Sequence, residues 1–238
     1  MAERQRNAVW NLDRLDGAQD TAYDYPTTGR GVVAYIIDSG LNTGHPEFSG
    51  GRASCGLDFI KTAGKPACAD EQGHGSHVAG IAGGRTYGVA KDLQLVGMRV
   101  LDARGRGTVS NVNKALDYII AEKRKRPGVA MVVNLSLGGN PSLSLDNSVQ
   151  KAVAAGIVIV IAAGNEDVNA CNRSPSRVPQ AITVGASSKG NTVSYFSNFG
   201  RCVDIFGPGE RIRAAWGGGG YRDVSGTSMA SPVSFAFR

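Results

Sequence analysis

Short apolar runs that alternate with helical segments constrain the fold of this chain more than any other feature of its sequence. The runs Gly31–Asp38, Leu93–Leu101, Ala130–Ser136 and Gly156–Ala162 are nearly continuous in apolar residues, which is typical of strands buried on both faces. Apolar residues at helical spacing, as in Val109–Lys125, predict helices between them. This alternation predicts an α/β fold with a mostly parallel central sheet and helices on both faces. Further helices are predicted at 73–84 and 145–155, and further strands at 181–184 and 203–206.

Polar residues stand where several of these strands end. Asp38 closes the first run, Ser136–Gly139 ends the third, and Asn165 comes shortly after the fourth. Ligands bind beyond the carboxyl ends of the strands in sheets of this kind, so these residues are expected to share one rim. The sequence therefore predicts a functional site at that rim.

The composition favours a single domain over residues 1–238 and argues against two classes of partner. Hydrophobic residues make up 42% of the chain, enough for one sizeable core. The net charge of +6 comes from scattered basic residues, without the aromatic–basic platform of a nucleic-acid-binding module. The one dense run, Lys123–Arg126, is interpreted as a solvated helix end. No apolar run reaches the roughly eighteen residues of a membrane span.

Ser228 lies within Val224–Pro232, at a glycine turn that leads into a predicted helix. A serine there is most often an N-cap, but unpaired N–H groups and the helix dipole also favour developing negative charge. Its hydroxyl becomes a good nucleophile when a base accepts its proton and a carboxylate orients that base. Asp38 and His74 supply such a pair. The amide of Asn165 and the backbone N–H of Ser228 can stabilise an oxyanion.

Each of these residues also has a structural explanation when it is taken alone. Asp38 could belong to a common turn, and Asn165 could cap a helix. His74 and His77 could be structural, or could suggest metal ligands. The segment lacks the His-Glu-x-x-His pattern of zinc proteases, so zinc is not predicted. The joint occurrence of all these residues is what favours catalysis.

Three stretches resemble the active-site signatures of the subtilisin-like serine proteases, peptidase family S8. They are Asp38–Gly40, Gly73–Gly80 and Gly226–Pro232, and they occur in the order Asp, His, Ser found in subtilisin. Ala162–Asn165 is similar to the family's oxyanion segment. The resemblance covers the chain from about residue 10 to residue 232. The segments 197–200 and 204–209 resemble those of the proteinase K branch of this family.

The resemblance implies a three-layer subtilisin-like fold and a serine endopeptidase that forms an acyl-enzyme. Ser228 would attack the peptide carbonyl, His74 would transfer the proton and Asp38 would orient His74. Asn165 and the backbone N–H of Ser228 would bind the oxyanion. Two segments would hold the polypeptide substrate as an added strand, and a third would line the pocket for the residue before the cut. The residues implied are Gly105, Arg106 and Gly107; Ser136, Leu137 and Gly138; and Ala162, Ala163 and Gly164.

The side chains of these segments also predict specificity. The small residues Ala162, Ala163 and Gly164 predict a roomy pocket with broad specificity and an apolar preference. Arg106 is a charged residue that departs from the family pattern, at the outer rim of the predicted substrate-binding site. We expect it to favour acidic substrate residues further from the cut.

The resemblance also implies a structural calcium ion. Its ligands would be the backbone carbonyls of Pro179 and Ala181 and the carboxylate of Asp204, all hard oxygen donors. A second acidic segment, Asn11–Tyr25, is polar and rich in turns and is predicted to be a surface arm. Its carboxylates could bind calcium, but they are interpreted as solvated.

Four cysteines, Cys55, Cys68, Cys171 and Cys202, suggest two disulfides. Four cysteines allow three connectivities, of which the local pairing Cys55–Cys68 and Cys171–Cys202 is favoured. Disulfides predict an oxidising compartment, so a secreted or vacuolar (lumenal) protein is expected.

The chain also departs from the family pattern. No signal segment or inhibitory prodomain is recognisable, and the C-terminal elements after Pro232 are expected to be truncated, because Val233–Arg238 diverges. The prodomain is the expected maturation partner, and the chain is expected to be a monomer. The sequence favours an endopeptidase. The alternatives are an inactive subtilase fragment that at most binds a peptide or prodomain and, least favoured, a nucleic-acid-binding module.

Overall fold

A seven-stranded sheet forms the middle layer of the protein. The computed structural model describes residues 3–235, without the side chain of Phe235. All neighbouring strands of this sheet are parallel, and their order is β4-β5-β3-β6-β7-β8-β9. The strands are β3 (Val32–Asp38), β4 (Ala53–Asp58), β5 (Gln94–Arg99), β6 (Ala130–Leu135), β7 (Val158–Ala162), β8 (Ile182–Ser187) and β9 (Ile205–Pro208).

Helices cover both faces of the sheet, as predicted. Along β3, Ala34 and Ile36 belong to one apolar cluster, whereas Val33, Tyr35 and Ile37 belong to the other. The first cluster holds the helices α2 and α5, and the second holds α3 and α4. The helices are α1 (Trp10–Asp13), α2 (His74–Gly83), α3 (Val109–Lys125), α4 (Leu143–Ala154) and α5 (Thr227–Phe235). The three-layer α/β prediction is confirmed.

The strand order reverses at β3, and this reversal positions the site. The strands β4 and β5 lie on one side of β3, whereas β6 and all later strands of the sheet lie on the other. A crevice therefore opens beyond the carboxyl ends of β3 and β6. Asp38 ends β3, and Ser136 follows β6 directly.

The prediction of a surface arm at 11–25 is wrong. Leu12 in α1 is fully buried, and Tyr23 is 4% exposed. The segment carries β2 (Ala22–Tyr25), which pairs antiparallel with β1 (Glu3–Arg6). Its apolar residues are spaced too irregularly for a periodic pattern, yet they pack against the α2 face of the core. Its carboxylates accept hydrogen bonds from backbone N–H groups of the same segment and from the Arg4 guanidinium.

Two further elements were not predicted. The strand β4 forms an edge of the sheet. A hairpin of β10 (Ile212–Ala215) and β11 (Tyr221–Val224) encloses the glycine run 217–220. The backbone N–H of Trp216 donates to the carbonyl of Gly220, so this run is a hairpin connection.

Both predicted disulfides are confirmed. Cys55 on β4 is bonded to Cys68, and Cys171 is bonded to Cys202. None of the helices in residues 3–235 has the length and apolar character needed to cross a bilayer. The divergent tail begins within α5, and its last three residues, 236–238, lie outside the described residues.

Candidate active site

Asp38 and His74 form a buried hydrogen-bonded pair. Nδ1 of His74, the first residue of α2, lies 2.8 and 2.9 Å from the two carboxylate oxygens of Asp38. The Asp38 side chain is fully buried, and the His74 side chain is 22% exposed. A carboxylate can only accept, so Nδ1 carries the proton and Nε2 of the neutral ring is a proton acceptor.

The surroundings of His74 favour its charged form. Burial opposes protonation, but the charge of Asp38 and its hydrogen bond, together with the charge of Asp70, outweigh burial and raise the pKa of His74 above its ordinary value of 6.5. The neighbouring groups therefore stabilise an imidazolium at this position.

Glycines flank His74 because the backbone is crowded there. A Cβ on Gly75 would lie 2.1 Å from the carbonyl oxygen of Gly40, in the loop after Asp38. Gly73 has φ = +100°, and a Cβ there would overlap the ring of Trp216. These two glycines let α2 start directly against the end of β3.

Asp70 joins these two elements, and its role was not predicted from the sequence. Its Oδ1 accepts from the Ser39 hydroxyl and from the backbone N–H of Gly73, both at 2.8 Å. Its Oδ2 accepts from the backbone N–H of Ser76 at 2.7 Å. Ser39 Oγ accepts in turn from the backbone N–H of Gly75. A carboxylate shortly before a helix start is a capping signal that could have identified this residue.

Ser228 lies in the first turn of α5, next to the end of β6. Its Oγ donates to the Ser136 carbonyl at 3.2 Å, and the Ser136 hydroxyl donates to the Ser228 carbonyl at 2.9 Å. Asn134 Nδ2 donates to Ser136 Oγ, and the Ser231 hydroxyl donates to Asn134 Oδ1. These bonds fix the start of α5 on β6. In this conformation the Ser228 hydroxyl is turned to Ser136 rather than to His74.

Asn165 is held by Thr227, the residue before Ser228. Its Oδ1 accepts from the backbone N–H of Thr227 at 2.8 Å and from the Thr227 hydroxyl at 3.0 Å. A backbone N–H can only donate, so the amide oxygen must face Thr227 and Nδ2 points elsewhere. The amide donor is thus fixed beside the N-terminus of the helix that carries Ser228.

Two cavities border these residues and share the segment Ser136–Gly139. The larger, of about 760 Å³, is lined by His74 and by 105–107. The smaller, of about 180 Å³, is lined by Ser228, Asn165 and 162–164. His74 and Ser228 therefore line two different cavities that meet at Ser136–Gly139, and the predicted substrate-binding residues line one or both of them.

Comparisons with known proteins show the family of this chain. The subtilase family model matches residues 29–234. The chain belongs to the subtilase family. It is 47% identical over 231 residues to alkaline serine exoprotease A of Vibrio alginolyticus and 42% identical over 234 residues to proteinase T of Parengyodontium album. These alignments cover 96% of this chain, and 42% and 78% of those relatives. A crystal structure of a cold-adapted subtilisin-like serine proteinase superposes with a TM-score of 0.88 at 45% identity, over 95% of this chain and 82% of that one.

This subtilase chain is shorter than its relatives. It spans about half the length of several of them, for example 55% of the extracellular serine proteinase from Thermus sp. (strain Rt41A). The relatives therefore contain further segments that have no counterpart in the aligned region.

The loop of Arg106 lies at the outer rim of the larger cavity. Gly107 forms an antiparallel bridge with Leu101, and Arg106 closes a turn with Asp102. The Arg106 guanidinium is exposed and forms an ion pair with Asp102 at 3.2 Å. Its charge is thus partly neutralised within its own loop.

The smaller cavity also contains two charged residues that the sequence analysis did not assign to it, Glu166 and Arg173. Glu166 follows Asn165 directly, so its position could have been anticipated. Arg173 gives no sequence signal, since it reaches the cavity through the fold of the segment after β7.

The predicted calcium ligands of this subtilase lie around the start of β8. Asp204 Oδ2 accepts from the backbone N–H of Thr183 at 2.8 Å, which holds the carboxylate beside the segment that follows Ala181. Among residues 3–235, no group of three or more His, Cys, Asp or Glu could hold a metal ion. A calcium ion here would depend on carbonyl oxygens besides Asp204, and that donor set suits its preference for hard oxygen ligands.

Proposed function

We propose that this subtilase domain is a serine endopeptidase that acts through Asp38, His74 and Ser228. The observation that carries the proposal is the Nδ1–carboxylate bond of 2.8 Å between His74 and buried Asp38. The cavity lined by His74 shares Ser136–Gly139 with the cavity lined by Ser228. This bond fixes the tautomer in which Nε2 can accept a proton. It also stabilises the imidazolium that forms when Ser228 attacks.

The proposed reaction begins with a rotation of the Ser228 hydroxyl from the Ser136 carbonyl toward Nε2 of His74. Ser228 Oγ then attacks the peptide carbonyl while His74 accepts its proton. The amide of Asn165 and the backbone N–H of Ser228 stabilise the oxyanion. His74 donates its proton to the leaving amine, and water hydrolyses the acyl-enzyme.

The substrate is proposed to bind as an extended strand between the segments Gly105–Gly107 and Ser136–Gly138. Backbone groups of such edges pair with any peptide, which fits broad specificity. The apolar preference predicted from sequence depends on the wall formed by 162–164. Glu166 and Arg173 line the same cavity, so charge also affects the preference for the residue before the cut.

The proposal extends to the cellular context of the protein. Two disulfides are stable in an oxidising compartment, so a secreted or vacuolar location is proposed. The relative from Thermus is named an extracellular proteinase, which supports secretion. We further propose a structural calcium ion bound by Asp204 with the Pro179 and Ala181 carbonyls, maturation with a prodomain, and a monomeric state.

One observation favours the alternative of an inactive peptide-binding domain. The Ser228 hydroxyl is bonded to Ser136 instead of His74. The two functions differ in whether Ser228 reacts.

A serine-directed fluorophosphonate tests the proposal. We expect it to label the wild-type protein and to leave Ser228→Ala and His74→Ala unlabelled. Peptide turnover is expected to fall by about a million-fold in either variant, a magnitude taken from subtilisin. A folded wild-type protein that resists labelling while it still binds peptides would establish the inactive alternative.

A further inference from the structure

The cavity beside Ser228 is lined by small residues and by two opposite charges. Residues 162–164 are small, Glu166 lies beside Gly164, and Arg173 comes from a later segment of the chain. A substrate side chain that enters this cavity meets those charges after losing part of its hydration. Which of the two charges is available therefore decides what the cavity binds.

Arg173 is the available charge. Its Nη1 donates to the neutral amide oxygen of Asn140 at 3.2 Å. No carboxylate in residues 3–235 lies within ion-pair distance of it, in contrast to nearby Arg177, which is bound to Asp146 at 2.6 Å. A guanidinium has five N–H donors, so a single neutral partner leaves most of them open to an anion.

Glu166 is held against the protein instead. Its Oε2 accepts from Asn198 Nδ2 at 2.8 Å, and Asn198 is fully buried. The Asn198 amide is itself fixed, since its Oδ1 accepts from the backbone N–H groups of Glu166 and Val168. Oε2 of Glu166 is thus engaged by a rigid neutral donor, and the negative charge that remains opposes that of Arg173.

We propose that Arg173 makes this cavity selective for an acidic side chain, glutamate above all, at the residue before the cleaved bond. The inference rests on the proposed endopeptidase function and deepens it. A glutamate carboxylate can form charge-assisted hydrogen bonds with the guanidinium, which a neutral side chain of the same shape cannot match. Arg106 is a poorer candidate because its charge is already paired with Asp102.

The test uses four peptides that differ only at this residue: glutamate, glutamine, leucine or lysine. We expect kcat/KM of the wild-type protein to be about tenfold higher for glutamate than for glutamine, the scale of one charged hydrogen bond in a partly exposed site. The Arg173→Gln variant is expected to bring this ratio close to one while it still cleaves the leucine peptide. Glu166→Gln is expected to increase the ratio, because it removes the opposing charge.

Arg124→Gln is the matched control, since it also removes one positive charge. Arg124 lies in the last turn of α3, which leads into β6, so it lies near the amino ends of the strands, whereas the cavity beside Ser228 lies at their carboxyl ends. The control should keep the wild-type ratio. A wild-type preference for leucine or lysine, or an unchanged ratio in Arg173→Gln, overturns the proposal while the peptidase function stands.

Affinity separates the two proposals. The four peptides are also titrated against Ser228→Ala, where the same order, glutamate above glutamine, is expected from binding alone. If the wild-type protein cleaves none of them but Ser228→Ala shows this order, the acidic selectivity stands and the peptidase function fails. Equal affinities for glutamate and glutamine overturn the selectivity in either case.

Discussion

Asp38 and His74 are 36 residues apart in sequence, and their side chains meet at 2.8 Å. This bond makes the stability of the fold and the catalytic activity depend on pH in opposite directions. The raised pKa of His74 means that the folded state favours the proton, so this pair stabilises the fold fully below pH 6.5 and loses that contribution as pH rises through the folded pKa. Catalysis needs the neutral ring, so activity is expected to increase over the same range.

Asp38→Asn tests the role of this carboxylate. The substitution removes the charge that raises the pKa of His74 and lets Nδ1 lose its proton. We expect kcat to fall by about ten-thousandfold and the acidic limb of the kcat/KM profile to move to lower pH. A pH–rate profile measures both effects. A limb at the wild-type position would contradict the assignment of His74 as the titrating base.

Asp70→Asn tests the link between the two elements. An asparagine keeps the shape but can accept with one oxygen only, so it cannot hold the backbone N–H groups of both Gly73 and Ser76 as a carboxylate does. We expect a loss of about 1–2 kcal/mol in the free energy of unfolding and a lower kcat with little change in KM. Rescue by Asp70→Glu and the matched exposed variant Asp117→Asn serve as controls. A kcat equal to that of Asp117→Asn would show that Asp70 does not position His74.

At the scale of elements, α2 is anchored to the hairpin β10–β11 by His77. This residue is fully buried, and its Nε2 donates to the carbonyls of Ile212 and Arg222, one on each strand. The Arg222 guanidinium in turn lies 4.6 Å from the centroid of the Trp216 ring, which packs edge-on against His77. His77 therefore couples the helix that carries His74 to a hairpin more than a hundred residues away.

The pH dependence of stability tests this anchor. Burial lowers the pKa of His77 to about 4, so between pH 6.5 and pH 4 the unfolded chain binds a proton that the folded chain does not. The contribution of His77 to the free energy of unfolding is therefore fully present above pH 6.5. Between pH 6.5 and pH 4 it decreases by up to about 1.4 kcal/mol per pH unit.

His77→Gln keeps an Nε2 donor but does not titrate. We expect the melting temperature to fall less between pH 7 and pH 5 in this variant than in the wild-type protein. Calorimetric scans at the two pH values measure the difference. An equal decrease in melting temperature in both proteins would mean that His77 does not cause the loss of stability at acidic pH.

At the scale of the whole molecule, the calcium proposal concerns the start of β8 and the loop before β9. A ligand that binds the folded state alone stabilises it by mass action, by about 2.7 kcal/mol at a hundredfold excess over Kd. We expect excess EDTA to lower the melting temperature and added calcium to restore it. Asp204→Asn retains an acceptor for Thr183 but loses the charge, so its melting temperature should no longer respond. An identical wild-type melting curve in EDTA and in calcium would contradict the site.

Sequence predicted the parts of the fold whose signal is local. The apolar runs gave β3, β5, β6 and β7 within a few residues, and the spacing of apolar residues gave α3 with its basic last turn. The strand β4 was missed because its residues are half-buried and do not form an apolar run. Leu12 and Tyr23 were misjudged because their burial depends on packing against distant residues.

The sequence by itself determined the alternation of strands and helices, the polar residues at strand ends and the glycine-flanked motifs that identify the family, since each of these is encoded within a few neighbouring residues. Tertiary structure alone decided that Asp70 joins the loop after Asp38 to the start of α2, and that Arg173 enters the cavity beside Ser228. Such contacts arise when parallel strands and their crossover helices bring distant segments together, and no local pattern records which segments will meet.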